Sequence, residues 1–174
     1  MYRSRVVEPI TLFQDDLLDC YAIAPLIVMD YRATPSAELT LAVDRVMRPF
    51  ATRQPDGVAL LALVRPMVSG MPDAASRRAT NMVMAEMKPL VRFRAGVVEG
   101  AGVVPTLVRA FFGSMTALLG DSRTSRTFRT ADEAVYWLGP LMRERWPEAE
   151  LEASALATAI HAQRRAWDRA RPPS

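Results

Sequence analysis

The side chains able to do chemistry in this sequence are few, and they do not converge on a reaction. His161 is the sole histidine and lies in a run of helical spacing, whereas a metal site or an acid–base triad needs partners beside it. It reads as a surface residue. Cys20, the sole cysteine, falls inside an apolar run with no histidine nearby, and reads as a small buried hydrophobe. Asp15, Asp16 and Asp19 suggest a cation site, yet neighbours at a turn rarely aim at one ion, so solvated turn charges are the simpler reading. Asp73 with Arg77 offers a carboxylate and a cation, but their spacing specifies no reaction class. Neither catalysis nor a metal or other cofactor is expected.

Binding chemistry is better represented. Gly96, Gly100 and Gly102 lie between a strand-like and a helix-like segment, where backbone amides can cradle a phosphate. Their spacing matches neither the dinucleotide nor the P-loop fingerprint, and a tight turn accounts for Gly100 and Gly102. Arg123, Arg126 and Arg129 alternate along a short strand-like segment, a pattern that discourages edge-to-edge aggregation. Together with Arg92 and Arg94 they could also receive an acidic partner; no aromatic interleaving supports base stacking, so nucleic acid is disfavoured. Ten methionines are many for this length, and Met67, Met71, Met82, Met84 and Met87 gather around one helical segment. Flexible thioethers suit an adaptable apolar surface, and not all of these can share one core face.

The elements that must position these residues alternate. Residues 10–13, 17–23 and 26–31 are apolar segments separated by Asp15-Asp16 and Ala24-Pro25, an opening β-meander. Thr34-Pro35 is read as a cap and first turn of an amphipathic helix through Leu39, Val43, Met47 and Phe50. Pro55-Asp56-Gly57 turns into the run Val58 to Val64, a strand covered on both faces. Asp73 caps a second helix that Pro89 ends, 91–99 is a strand, and Val104, Leu107, Val108, Phe111, Met115 and Leu118 form a third helix face. Residues 124–128 are an edge strand, and Thr130 to Glu133 is a capping box opening a helix through Trp137 and Leu141. A last helix over about 148–170 carries a thin stripe of Leu151, Leu156, Ile160 and Trp167 that docks on the domain or makes a homodimer. Strands alternating with helices imply parallel pairing through right-handed crossovers.

This order of elements resembles the STAS domain of anti-sigma-factor antagonists, nearest to its divergent bacterial relatives. The likeness spans residues 17–142 and is carried by Leu26 to Tyr31 with Pro35, by Val58 to Val64, by the helix after Asp73, by 91–102, and by TSRTFRTADEAVYWL at 124–138. It implies an α/β, STAS-like mixed sheet of about four or five strands with helices packed against it, plus an extra C-terminal helix. Residues 1–146 would be the domain and 147–174 a helical extension with a short disordered tail. The family's phosphorylated hydroxyl follows an aspartate at the start of the second helix. Here Asp73 matches, Ala74 and Ala75 stand where hydroxyls belong, and Ser76 comes three residues on. Phosphate on Ser76, or on Ser69, would sit at a helix N-terminus beside Arg77 and Arg78, which tolerates the charge. The family's protein-contact surface maps to residues 68–78, with Ser69, Met71, Asp73, Ser76, Arg77 and Arg78 as the contact set.

Composition is consistent with that. At 174 residues, half hydrophobic and about a quarter charged, the chain can bury a core without staples. One cysteine and no signal-like opening point to the cytoplasm, and no uncharged run reaches membrane-span length. Net charge is +3, carried by arginine with Lys88 the sole lysine, too weak a bias to indicate nucleic acid. The expectation is a non-enzymatic regulatory or scaffold module that binds a protein through the loop and N-terminus of the second helix. The alternative is a carrier or sensor of a small apolar ligand in a pocket lined by Met82, Phe93 and Phe111.

Overall fold

The computed structural model describes residues 8–66, 68, 70–103, 105–110 and 123–170. The meander forms from β1 (Ile10–Gln14), β2 (Leu18–Ile23) and β3 (Leu26–Tyr31), paired antiparallel. Asp15 makes the first turn: its Oδ1 accepts from the backbone N–H groups of Leu17 and Leu18, each at 2.8 Å. Helix α1 (Ala37–Thr52) starts two residues later than the sequence suggests. Ser36 rather than Thr34 is its cap, because the Ser36 hydroxyl reaches the N–H of Leu39 at 3.0 Å. Gly57 then turns the chain at φ +81°, where an added Cβ would lie 2.6 Å from the carbonyl oxygen of Leu90.

The parallel part follows as β4 (Val58–Val64), α2 (Ala74–Met87), β5 (Val91–Val98) and β6 (Ser125–Phe128). Residues 103 and 105–110 are helical, whereas the rest of the expected third helix, with Phe111, Met115 and Leu118, lies outside the described residues. The chain then forms α3 (Ala131–Arg145), a short 3-10 turn (Pro147–Ala149) and α4 (Ala153–Ala170). At α3 the Thr130 hydroxyl accepts from Glu133 N–H at 3.2 Å, and Glu133 returns a bond to Arg129 N–H at 3.0 Å.

The strands form one mixed six-stranded sheet in the order β1-β2-β3-β4-β5-β6. It is wider than the four or five strands expected, because every strand of the meander and the edge strand β6 join it. β3, β4, β5 and β6 are parallel neighbours in sequence order. Right-handed crossovers that always step the same way put the crossover helices on one face. Accordingly α1 and α2 cover a face built from Leu18, Ile27 and Leu60, with Val43, Met47 and Met87 packed on it. The chain leaving β6 is free to return across the other face, where α3 and α4 cover Tyr21, Val28, Leu61 and Val97. The final helix contributes Leu156 and Ile160 to this same core, and Trp167 is only 1 % exposed. Of the two fates expected for its apolar stripe, docking on the domain is the one displayed.

Candidate functional site

The loop from β4 to α2 runs past the C-terminal ends of the parallel strands, the end of an α/β sheet where sites are usually built. Asp73 Oδ1 accepts from Ser76 N–H at 2.7 Å, and the Ser76 hydroxyl donates to the same carboxylate. These bonds hold the Asp73 carboxyl below its ordinary range. Ser76 is 4 % exposed, so the hydroxyl expected as the phosphosite belongs to the helix cap and is covered. Arg77 Nη1 donates to the carbonyl of Pro72 at 2.7 Å and steadies the loop. Met71 and Arg78 are exposed, and Ser69 and Met67 lie outside the described residues.

Behind this loop the α1–α2 side of the sheet is hollow. The register places Met29 beside Ala62, Ala62 beside Gly96 and Gly96 beside Thr127, one row across four strands. The two central members of that row have almost no side chain, so the floor drops where the helices above cannot follow. The result is an apolar cavity of about 120 Å³, walled by Met47 of α1, Val83 and Met84 of α2, and Val68 of the loop. It is not the pocket expected from the sequence. Met82 projects outward from α2, 47 % exposed. Phe93 points to the opposite face, edge-on to Trp146 with ring centroids 5.7 Å apart. Phe111 is outside the described residues.

One charge lines the deep part of this cavity. The register skips at Arg92, with Val58 beside Val91 but Ala59 beside Phe93. Arg92 therefore stays outside and donates to the carbonyl of Asp56 at 3.0 Å, while Arg94 turns into the cavity. Arg94 Nε and Nη2 are buried, and neither finds a hydrogen-bond partner among the described residues. Burial alone pushes its guanidinium below the ordinary range. No aspartate or glutamate is among the described residues lining the cavity; Arg126, exposed at its edge, is the other charge.

The opposite face carries a second polar cluster, in which carboxylates and arginines pair with one another while the buried Tyr21 hydroxyl has no hydrogen-bond partner among the described residues. Asp30, fully buried, accepts from Arg65 Nε at 2.9 Å and Nη2 at 2.6 Å, and Arg164 Nε lies 3.2 Å away. Arg164 also grips Glu99 at 2.7 and 2.8 Å. Asp168 bridges Arg32 and Arg65, both of which sit over the Trp167 ring. Burial pushes the Asp168 carboxyl up, but the hydrogen bonds from Arg65 and Arg32 outweigh it and hold it below its ordinary range. Asp19 is no solvated turn charge: it is fully buried beside Asp30, bonded to Gln14 and Gln163, and burial raises its carboxyl. This cluster fastens α4 to the strand ends. The sequence shows it only as a lone acid in the apolar strand β3 and as Arg164 and Asp168 four apart on α4.

The remaining candidates are structural. Cys20 is buried and its thiol is pushed up to about 12, chiefly by desolvation. His161, partly exposed, contacts Asp132 at 2.8 Å and ties α4 to α3. Gly100 and Gly102 have φ of +90° and +113°, the conformation their turn requires. Among the described residues there is no cluster of histidine, cysteine or acids that could hold a metal, and no helix long and apolar enough to cross a membrane.

Set against models of known protein families the chain matches none, and set against curated proteins it matches no relative.

Proposed function

We propose that this chain is a non-catalytic binding protein that holds a small, largely apolar molecule between its sheet and the α1–α2 layer, as a carrier or a sensor. The observation that carries this is the row Met29–Ala62–Gly96–Thr127, which leaves a hollow where a packed core would place side chains. Interiors otherwise pack to crystal density, and glycine in a strand marks the close approach of another group. The polar cluster on the other face supports the reading from the opposite direction, because its carboxylates are already engaged, Asp30, Glu99 and Asp168 by arginines and Asp19 by Gln14 and Gln163.

The test uses the methionine methyl groups as reporters. Met29, Met47 and Met84 line the cavity, whereas Met142 is buried on the other face. Titration with octanoate or 1-octanol is expected to shift the first three methyl resonances and leave Met142 in place. Absence of any shift, or uniform shifts across both faces, would contradict the reading.

A second reading is favoured by exposed Met71 and Met82 with Arg78 between them in sequence. In this reading the chain is a regulatory module that binds a protein through residues 68–78, as the STAS-like order of elements implies. Met71→Asp or Arg78→Glu would then abolish a captured complex without unfolding the domain; retention of the complex by both variants would exclude it.

A further inference from the structure

An arginine fork binds a carboxylate through two parallel N–H donors, and this protein displays the arrangement with its partner present where Arg65 holds Asp30 and where Arg164 holds Glu99. Arg65 gives Nε and Nη2 to the two oxygens of Asp30. Arg94 presents the same two nitrogens, buried and without a partner among the described residues, inside the apolar cavity. A folded chain rarely leaves such donors unmet, and two on one guanidinium that lines a cavity are open to an occupant of that cavity. The described lining holds positive charge only, from Arg94 and, at the edge, Arg126. Half of the other described lining residues are methionine, valine, leucine and alanine, and the hydroxyls of Tyr31, Thr34, Thr40 and Thr80 among the rest donate to groups of the protein itself.

We infer that the cavity takes a monocarboxylic acid with an apolar body, its carboxylate seated on the Nε–Nη2 edge of Arg94; this rests on the cavity being a ligand site. The placement follows from the sheet. Arg94 lies beside Leu60 on β4 and Ser125 on β6, one row from the hollow formed by Ala62 and Gly96. The head group therefore meets the guanidinium while the body lies over the hollow against Met29, Met47 and Met84. A doubly charged phosphate fits less well, because a single buried guanidinium in apolar walls balances one charge.

Calorimetric titration of octanoate and of 1-octanol, which shares the chain but not the charge, tests the assignment. Wild type is expected to bind octanoate at least about tenfold more tightly than 1-octanol, equivalent to about 1.4 kcal/mol. Arg94→Met should bring the two ligands level. Arg94→Lys, which keeps the charge and removes the fork, should give an intermediate preference and serves if the first variant does not fold. Ala62→Leu, which fills the hollow and leaves Arg94 in place, should weaken both ligands. Equal binding of the two ligands by wild type, or undiminished octanoate binding by Arg94→Met, would overturn the carboxylate assignment while leaving the apolar site standing. No binding of either ligand to wild type would overturn both.

Discussion

Arg94→Met should make the ligand-free protein more stable, the opposite of what truncating a core side chain does. Arg94 brings a guanidinium under the α1–α2 layer with Nε and Nη2 unsatisfied among the described residues. Leaving a buried polar group without a partner costs about 1–3 kcal/mol, and more when it is charged. Burial disfavours the charged form here and no counter-charge among the described residues offsets it, in line with the downward shift of its pKa. The residue as a whole is half-buried, so the lower part of that range applies. Methionine has comparable length, is apolar, and adapts to irregular space. The expected gain is about 1–2 kcal/mol, which for a chain of this size raises Tm by roughly 2–8 °C. Urea unfolding of both proteins, followed by tryptophan fluorescence, gives the value, with an unchanged m-value showing that the native state is the same. A loss of more than about 1 kcal/mol would refute the reasoning, because it would mean that the guanidinium is engaged in a stabilising contact.

Two ion pairs of similar length should respond differently to deletion. Arg65→Leu leaves Asp30 buried with only Arg164 nearby and should cost about 3–5 kcal/mol, whereas Arg143→Ala, which breaks the exposed 3.0 Å pair with Glu152, should cost less than about 1 kcal/mol; urea midpoints compare them. The Asp168 carboxyl is depressed in the fold, so the stability it confers is present above its unfolded value of about 3.9 and is lost as pH falls through the lower folded value. Asp168→Asn should therefore flatten the decline of stability below about pH 4, seen in urea midpoints across acid pH. Cys20, buried and with its thiol pushed up to about 12, should not react with a thiol-specific reagent in the native protein at mildly alkaline pH and should react at once when unfolded; fast native labelling would show that the strand opens.

Much of the fold was legible because local chemistry and period agreed. The uninterrupted run of β4 announced a strand covered on both faces, and Asp73 and Thr130 capped the helices they were expected to cap. The start of α1 was misplaced because Thr34 and Ser36 are both competent caps, and only the geometry of the Leu39 amide chooses between them. The pocket was misassigned for a tertiary reason. A one-residue bulge at Arg92 changes which side chains of β5 face α2, so Phe93 leaves the cavity and Arg94 enters it. Ala62 and Gly96 carry no signal singly; the hollow arises because the register sets them side by side. The ion cluster under α4 was equally hidden, since Asp30, Arg65, Glu99 and Asp168 are remote in sequence and meet only once the last helix is laid on the sheet.

The central claim is that the cavity on the α1–α2 side is a ligand site with Arg94 at its polar end. A crystal structure of the protein soaked with octanoate tests it most directly. The account predicts carboxylate density against Arg94 Nε and Nη2, with the chain over Ala62 and Gly96 and against Met29, Met47 and Met84. Water alone on Arg94, with the cavity otherwise vacant or the acid bound elsewhere on the surface, would contradict it.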